Sequence, residues 1–255
     1  MLTKIGFINL EELRNAIKEE TILITIMFAN NEIGTIQPIK EISKIARESG
    51  VIFHTDCVQA IGNVRINVEE YGIDMLSMSA HKFYGPKGVG ALYVRNGISF
   101  SKIQDGGHQE RNKRAGTENV AGIVGLGKAI ELASMNLENY NSKLLKLRNY
   151  FIREITERYP NVKINGDMAQ RLPGNINISF PGVDGEELLL KLDGYNICAS
   201  AGSACSSGSL EPSHVLLAIG LDSKYAGGSL RITLGEQNTI DDMKYLISVI
   251  ERILG

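Results

Sequence analysis

Val51-Ile52-Phe53-His54-Thr55-Asp56-Cys57-Val58-Gln59 is one of two decisive runs; the other is Met75-Leu76-Ser77-Met78-Ser79-Ala80-His81-Lys82. Each reads as a short buried strand that ends in a cluster of polar side chains. Upstream, Thr21 to Ala29 is a β-branched apolar run, too short for a buried helix and suited to another strand. Pro38 fits the first turn of a helix whose buried stripe is Ile39, Ile42, Ile45 and Ala46, and Gly50 ends it. Val89 to Val94 adds a further strand. Apolar strands alternating with amphipathic helices predict βαβ units. The expected class is therefore α/β, with a mainly parallel sheet.

Further out, residues 9–19 read as a helix with Asn9 as N-cap and Glu12 in its first turn. After Gly116-Thr117 the pattern is helical to about Tyr159, where Pro160 interrupts it. Shorter strands follow at Val162–Ile164, Asn175–Phe180, Tyr195–Ala199 and Ser229–Leu234. Helices are expected at 185–192 and 240–253, the last capped by Thr239 with Asp242 three residues on. A domain change is placed near residue 136, giving a larger domain over 1–136 and a smaller α/β domain over 137–255. The Gly-, Ser- and Ala-rich stretch Ala199 to Leu210, which contains Cys205, reads as a mobile loop of the second domain.

Composition narrows the function. A formal charge of −2 and a pI near 6.1 give no general attraction to nucleic acid or to an anionic membrane. No uninterrupted apolar run approaches the roughly 20 residues of a membrane span. Three cysteines are an odd number and too sparse for a disulfide scaffold, so a reducing cytoplasm is the expected compartment.

Two motifs fail on inspection. Gly122-Ile123-Val124-Gly125-Leu126-Gly127-Lys128 approximates a phosphate-binding P-loop. Ala129 follows where a magnesium-binding hydroxyl is needed, and Ile123, Leu126 and Ile130 fit one helical face. The pairs His54/Cys57 and Cys205/His214 lack the paired clips of a structural zinc site, so no metal is expected.

The two strand ends carry the chemistry. In an open α/β sheet, ligands bind beyond the carboxyl ends of the strands. There one strand offers Asp56 and Gln59, and the next offers Ser79, His81 and Lys82. A lysine that can form an imine, a carboxylate that can hold a ring nitrogen protonated, and donors for a phosphate are what pyridoxal phosphate requires. Taken singly, each residue has a plainer reading, Lys82 as a solvated turn residue and Asp56 as a helix cap. Arg231, in Ser229-Leu230-Arg231-Ile232-Thr233, can grip a carboxylate through two parallel hydrogen bonds, or serve in a surface ion pair.

Five runs carry a resemblance: residues 30–38 (NNEIGTIQP), 54–59 (HTDCVQ), 77–88 (SMSAHKFYGPKG), 109–119 (QERNKRAGTEN) and 200–212 (SAGSACSSGSLEP). In content and order they resemble the cysteine desulfurases of the NifS/IscS kind, within the class V aminotransferases among fold-type I pyridoxal-phosphate enzymes. The resemblance implies that Lys82 binds the cofactor and moves protons, that Asp56 pairs with the ring nitrogen, and that Gln59 contacts the ring hydroxyl. It places Asn31 near ring and substrate, gives the phosphate to Ser79 and His81, and gives the substrate carboxylate to Arg231. Thr117 would reach the phosphate of a partner subunit, which implies a homodimer. Cys205 would take sulfur from L-cysteine as a persulfide, leaving L-alanine. An iron–sulfur scaffold or a tRNA-thiolation protein would receive the sulfur.

The family pattern begins upstream of this chain, with a phosphate-binding loop and a ring-stacking histidine that have no counterpart here. An incomplete large-domain sheet with exposed apolar faces is therefore expected. His108 and Asn112 stand where glycine is usual, Ala201 where serine is usual, and Cys57 where alanine is common. Cys57 reads as a packing residue and Cys198, on the expected strand, as a small buried one. Besides the desulfurase, two readings stay open. One is a non-catalytic fragment that acts at most as a binding module. The other is a selenocysteine lyase or another class V aminotransferase.

Overall fold

The computed structural model describes residues 2–201 and 213–255. It is an α/β structure with a mainly parallel four-stranded sheet and a separate three-stranded antiparallel one. The chain divides into two compact units. One comprises Arg14–Phe28 and Ile39–Leu137; the other comprises Met1–Leu13, Ala29–Pro38 and Glu138–Gly255. This cuts the chain differently from the 1–136 and 137–255 division read from the pattern. Long-range hydrogen bonds are the reason. The Gln37 side chain donates to the Gly6 carbonyl at 2.7 Å and accepts from the Ile8 amide at 2.9 Å, and Thr35 Oγ1 donates to the Ile5 carbonyl at 2.8 Å.

The first unit is built on β1 (Leu23–Met27), β2 (Ile52–Asp56), β3 (Met75–Ser79) and β4 (Gly90–Val94). They lie in that order, β1, β2 and β3 parallel and β4 antiparallel to β3. Alternation sends Ile24, Phe53, Thr55 and Leu76 into the core with the Ile39, Ile42 and Ile45 stripe of α2 (Ile39–Glu48). The other face carries Leu23, Thr25, His54, Asp56, Ser77, Ser79 and Leu92. On it Leu23 and Leu92 are 45% and 46% exposed. Helix α1 (Leu10–Ala16) is shorter than read. Lys18 and Thr21 close a turn instead, the Lys18 amide donating to Thr21 Oγ1 and the Thr21 amide to the Lys18 carbonyl.

Helix α4 (Val120–Arg158) runs 39 residues and absorbs the P-loop look-alike entirely. By length and composition it could cross a membrane, unlike anything found by counting uninterrupted apolar residues. Its early part nonetheless has a protein seat. Gly125, Ala129 and Ala133, four residues apart on one face, meet Pro86, Gly85 and the Gly62–Phe83 contact. A methyl group added at Gly85 would come within 2.9 Å of Ala80 Cβ and 3.1 Å of Ala129 Cβ. Small residues are therefore required where the helix crosses the turn that bears Lys82.

In the other unit, β5 (Lys163–Ile164), β6 (Asn175–Ser179) and β7 (Ser229–Thr233) form the antiparallel sheet in that order. Its core joins Leu144, Leu147, Phe151 and Ile155 of α4 to α5 (Gly185–Asp193) and α8 (Ile240–Leu254). The expected capping box of α8 forms: the Asp242 amide donates to Thr239 Oγ1, and the Thr239 amide donates to Asp242 Oδ2. Such caps contribute about 1 kcal/mol. Two short helices, α6 (His214–Ala218) and α7 (Ser223–Ala226), were not foreseen. With Ile33 they bury Val215, Leu216, Ile219 and Ala226 in a second cluster.

Gly34 sits at φ +73°, and a methyl group there would lie 2.4 Å from Asn175 Oδ1. Gly34→Ala is expected to cost about 1–3 kcal/mol through left-handed strain and this clash. Denaturant unfolding checks it, and an unchanged midpoint would contradict the packing described.

Candidate active site

Parallel pairing brings the carboxyl ends of β1, β2 and β3 to one edge, with Asp56 directly beside Ser77 in register. Asp56 is half-buried; its Oδ1 accepts from the Val58 amide at 2.8 Å. Gln59 follows in the same turn, its carbonyl accepting from Asn63 Nδ2 at 3.1 Å. Among the described residues, Asp56 Oδ2 and the Gln59 side-chain amide have no hydrogen-bond partner. Both remain available to a ligand.

At the end of β3, Ser79 Oγ and His81 Nδ1 hydrogen-bond at 2.8 Å. A 3-10 turn, Ala80–Phe83, then presents His81 and Lys82 to solvent while Ala80 and Phe83 are buried beneath. Tyr84 closes that turn in the left-handed conformation, φ +65°. Lys82 Nζ has neither an ion pair nor a hydrogen bond among the described residues. Thr117 is exposed in the same unit, just ahead of α4. The short α3 (Gln109–Asn112) between them contains successive left-handed residues, Glu110, Arg111 and Asn112. Asn112 at φ +62° explains how asparagine replaces the usual glycine, since its short polar side chain tolerates that region. His108 at φ −94° needs no glycine.

The other expected residues belong to the second unit. Arg231 Nη1 donates to the Asn31 carbonyl at 3.5 Å and Nη2 to Ser200 Oγ at 3.3 Å. Ser200 and Arg231 also form an antiparallel bridge. Asn31 and Arg231 are thus brought together around backbone and hydroxyl oxygens. Pattern reading missed what holds this corner. The Glu32 carbonyl accepts from Asn175 Nδ2 at 3.0 Å and Asn177 Nδ2 at 3.2 Å, and the buried Glu32 carboxylate accepts from Ser213 Oγ. The available signal was Asn175-Ile176-Asn177-Ile178-Ser179, an alternation whose polar face is also buried. Cys205 lies outside the described residues.

The other two thiols differ from each other. Tyr195–Ala199 is not a strand but a turn and an irregular stretch, with Asn196 left-handed at φ +59°, so Cys198 is exposed rather than buried. Cys57 is fully buried, and burial pushes its thiol up to about 12. This agrees with a packing role.

A family model for aminotransferase class-V matches residues 1–246. The chain belongs to the aminotransferase class-V family. It is 59% identical over 251 residues to a cysteine desulfurase IscS of Clostridium botulinum, covering 98% of this chain and 63% of that relative. A solved structure described as a NifS-like protein superposes with a TM-score of 0.91 at 37% identity, over 99% of this chain and 66% of that one. Another, described as SspA in complex with cysteine, gives 0.76 at 35%, over 93% and 66%. This chain therefore spans about two thirds of the length of its relatives.

The family's cofactor is pyridoxal phosphate. The donor set fits it: an amine and a strand-end carboxylate oxygen that have no competing partner among the described residues, and a hydroxyl–imidazole pair at the same sheet edge. When bound, the cofactor supplies an electrophilic carbon and a ring that absorbs electrons.

Cys57 yields a sharp test. At about pH 8 a thiol near 12 is ionised to roughly one part in 10⁴, so alkylation should modify Cys198 and spare Cys57 until the protein unfolds. The fold favours the neutral thiol over its ordinary value of 9.0. That contribution to stability is complete below pH 9 and is lost as pH rises toward about 12. Equal labelling of both thiols in the folded protein would contradict this assignment.

Proposed function

We propose that the protein represented by this chain is a pyridoxal-phosphate-dependent cysteine desulfurase. The observation that carries the reading is the pairing of a free Asp56 oxygen with an uncompensated Lys82 amine at adjacent parallel strand ends. The similarity to a cysteine desulfurase IscS and to a structure described with cysteine supports L-cysteine as substrate.

In this reading Asp56 Oδ2 holds the proton on the ring nitrogen, and Gln59 donates to the ring oxygen. Ser79 and His81 hold the phosphate, with Thr117 serving the site of a second subunit in a homodimer. Arg231 grips the substrate carboxylate and Asn31 borders ring and substrate. Lys82 Nζ holds the cofactor and afterwards moves the proton between substrate carbons. The Cys205 thiolate attacks the substrate sulfur, forming an S–S bond as the C–S bond breaks, and the carbon left behind takes up a proton. One L-cysteine and one thiol give one L-alanine and one Cys205 persulfide, with no outside oxidant. The persulfide sulfur then passes to an acceptor, an iron–sulfur scaffold or a tRNA-thiolation protein, in the cytoplasm.

The test uses the full-length protein with L-cysteine. Alanine should form, and mass spectrometry should find one added sulfur on Cys205. Cys205→Ser should retain cofactor but lower turnover by at least about 10²-fold, in line with loss of a nucleophile. Full turnover without that thiol would refute the mechanism.

A further inference from the structure

One side chain on the cofactor-facing side of the sheet has no part in the roles above, yet both its polar atoms are engaged. His54 lies between two hydroxyls: Nδ1 and Thr25 Oγ1 are 2.7 Å apart, and Nε2 and Ser77 Oγ are 2.8 Å apart. Thr25 is its register partner on β1, and Ser77 on β3 is the register partner of Asp56. Strand alternation puts His54 and Asp56 on the same face, one pleat apart. The imidazole thus bridges three strands one pleat before Asp56 on β2.

Anchoring both nitrogens fixes the ring, because a hydroxyl can donate to one nitrogen and accept from the other. Burial lowers the His54 pKa from its ordinary 6.5, and the Asp56 charge offsets this in part. No other charge faces the ring from the packed strands: on this face β1 contributes Leu23, Thr25 and Met27, and β3 contributes Met75, Ser77 and Ser79. A neutral imidazole leaves the Asp56 carboxylate undiminished as a proton acceptor. An imidazolium there would draw on that negative charge and weaken its hold on a ring proton.

We propose that His54, clamped by Thr25 and Ser77, is a positioning residue that acts through Asp56: it ties β1, β2 and β3 together one pleat before Asp56, so fixing the strand end that bears the carboxylate, and as a neutral ring it leaves that carboxylate strongly basic toward the cofactor's ring nitrogen. The inference rests on the pyridoxal-phosphate reading of the site. It assigns His54 no contact with substrate or cofactor.

The test has two parts. In cofactor-free protein, nuclear magnetic resonance of 15N-labelled histidine should show His54 as a single neutral tautomer that titrates below 6.5. In full-length protein loaded with ring-15N pyridoxal phosphate, the ring-nitrogen resonance should shift as pH falls through the His54 titration. His54→Gln, which keeps a polar bridge, should remove that pH step while the ring nitrogen stays protonated. His54→Leu should lower the protonated fraction and weaken cofactor binding about 10-fold or more. A ring-nitrogen signal indifferent to pH and to both substitutions, in protein that binds the cofactor normally, would overturn the inference alone. Failure of the wild-type protein to bind the cofactor would overturn the functional reading, and the inference with it. A freely exposed His54 titrating at or above 6.5 would overturn the inference whatever the cofactor does.

Discussion

The parallel register of β2 against β3 is the constraint on which the site depends. Because His54 pairs with Met75 and Asp56 with Ser77, the polar ends of both strands emerge at one edge and on one face. A slip of one residue would turn Asp56 inward and bring Thr55 to the open face. The apolar alternation that buries Phe53, Thr55 and Leu76 therefore also aims the carboxylate. Packing and chemistry are fixed by the same pattern.

The Lys82 turn depends on a second constraint, steric in origin. Gly85 lies against Ala80 and Ala129 at distances that admit no added methyl group. The stripe Gly125, Ala129 and Ala133 lets α4 approach this closely, and the buried Phe83 anchors the turn from below. Of the glycines that mimic a nucleotide-binding loop, Gly125 is thus explained by the close approach of α4 to Pro86 beside the Lys82 turn, whereas a methyl group at Gly127 would meet nothing within 4 Å. The corner that holds Asn31 and Arg231 has its own brace, since Asn175 and Asn177 converge on the Glu32 carbonyl next to Asn31.

Much of this was legible in sequence because it is local. The strands ending in Asp56 and Ser79, the α8 capping box and the cluster around Lys82 each follow from short-range periodicity or turn chemistry. What was not legible depends on partners distant along the chain. The assignment of Ala29–Pro38 to the same unit as Glu138–Gly255 is one case, with Thr35 bridging Arg171 and Gln37 bonding Gly6. The burial of Asn175 and Asn177 is another, because a buried polar strand face looks like a solvated one until its acceptors are known. Cys198 was misread for the opposite reason: the apolar run around it reads as a strand, but the turn at Asn196 leaves the thiol exposed.

The central claim is that Lys82 is the attachment point prepared by these constraints. Borohydride reduction of the full-length protein with pyridoxal phosphate, followed by peptide mass mapping, tests it most directly. The account predicts one stable cofactor adduct, on Lys82, absent from Lys82→Ala. An adduct on another lysine, or none in protein that turns over cysteine, would contradict it.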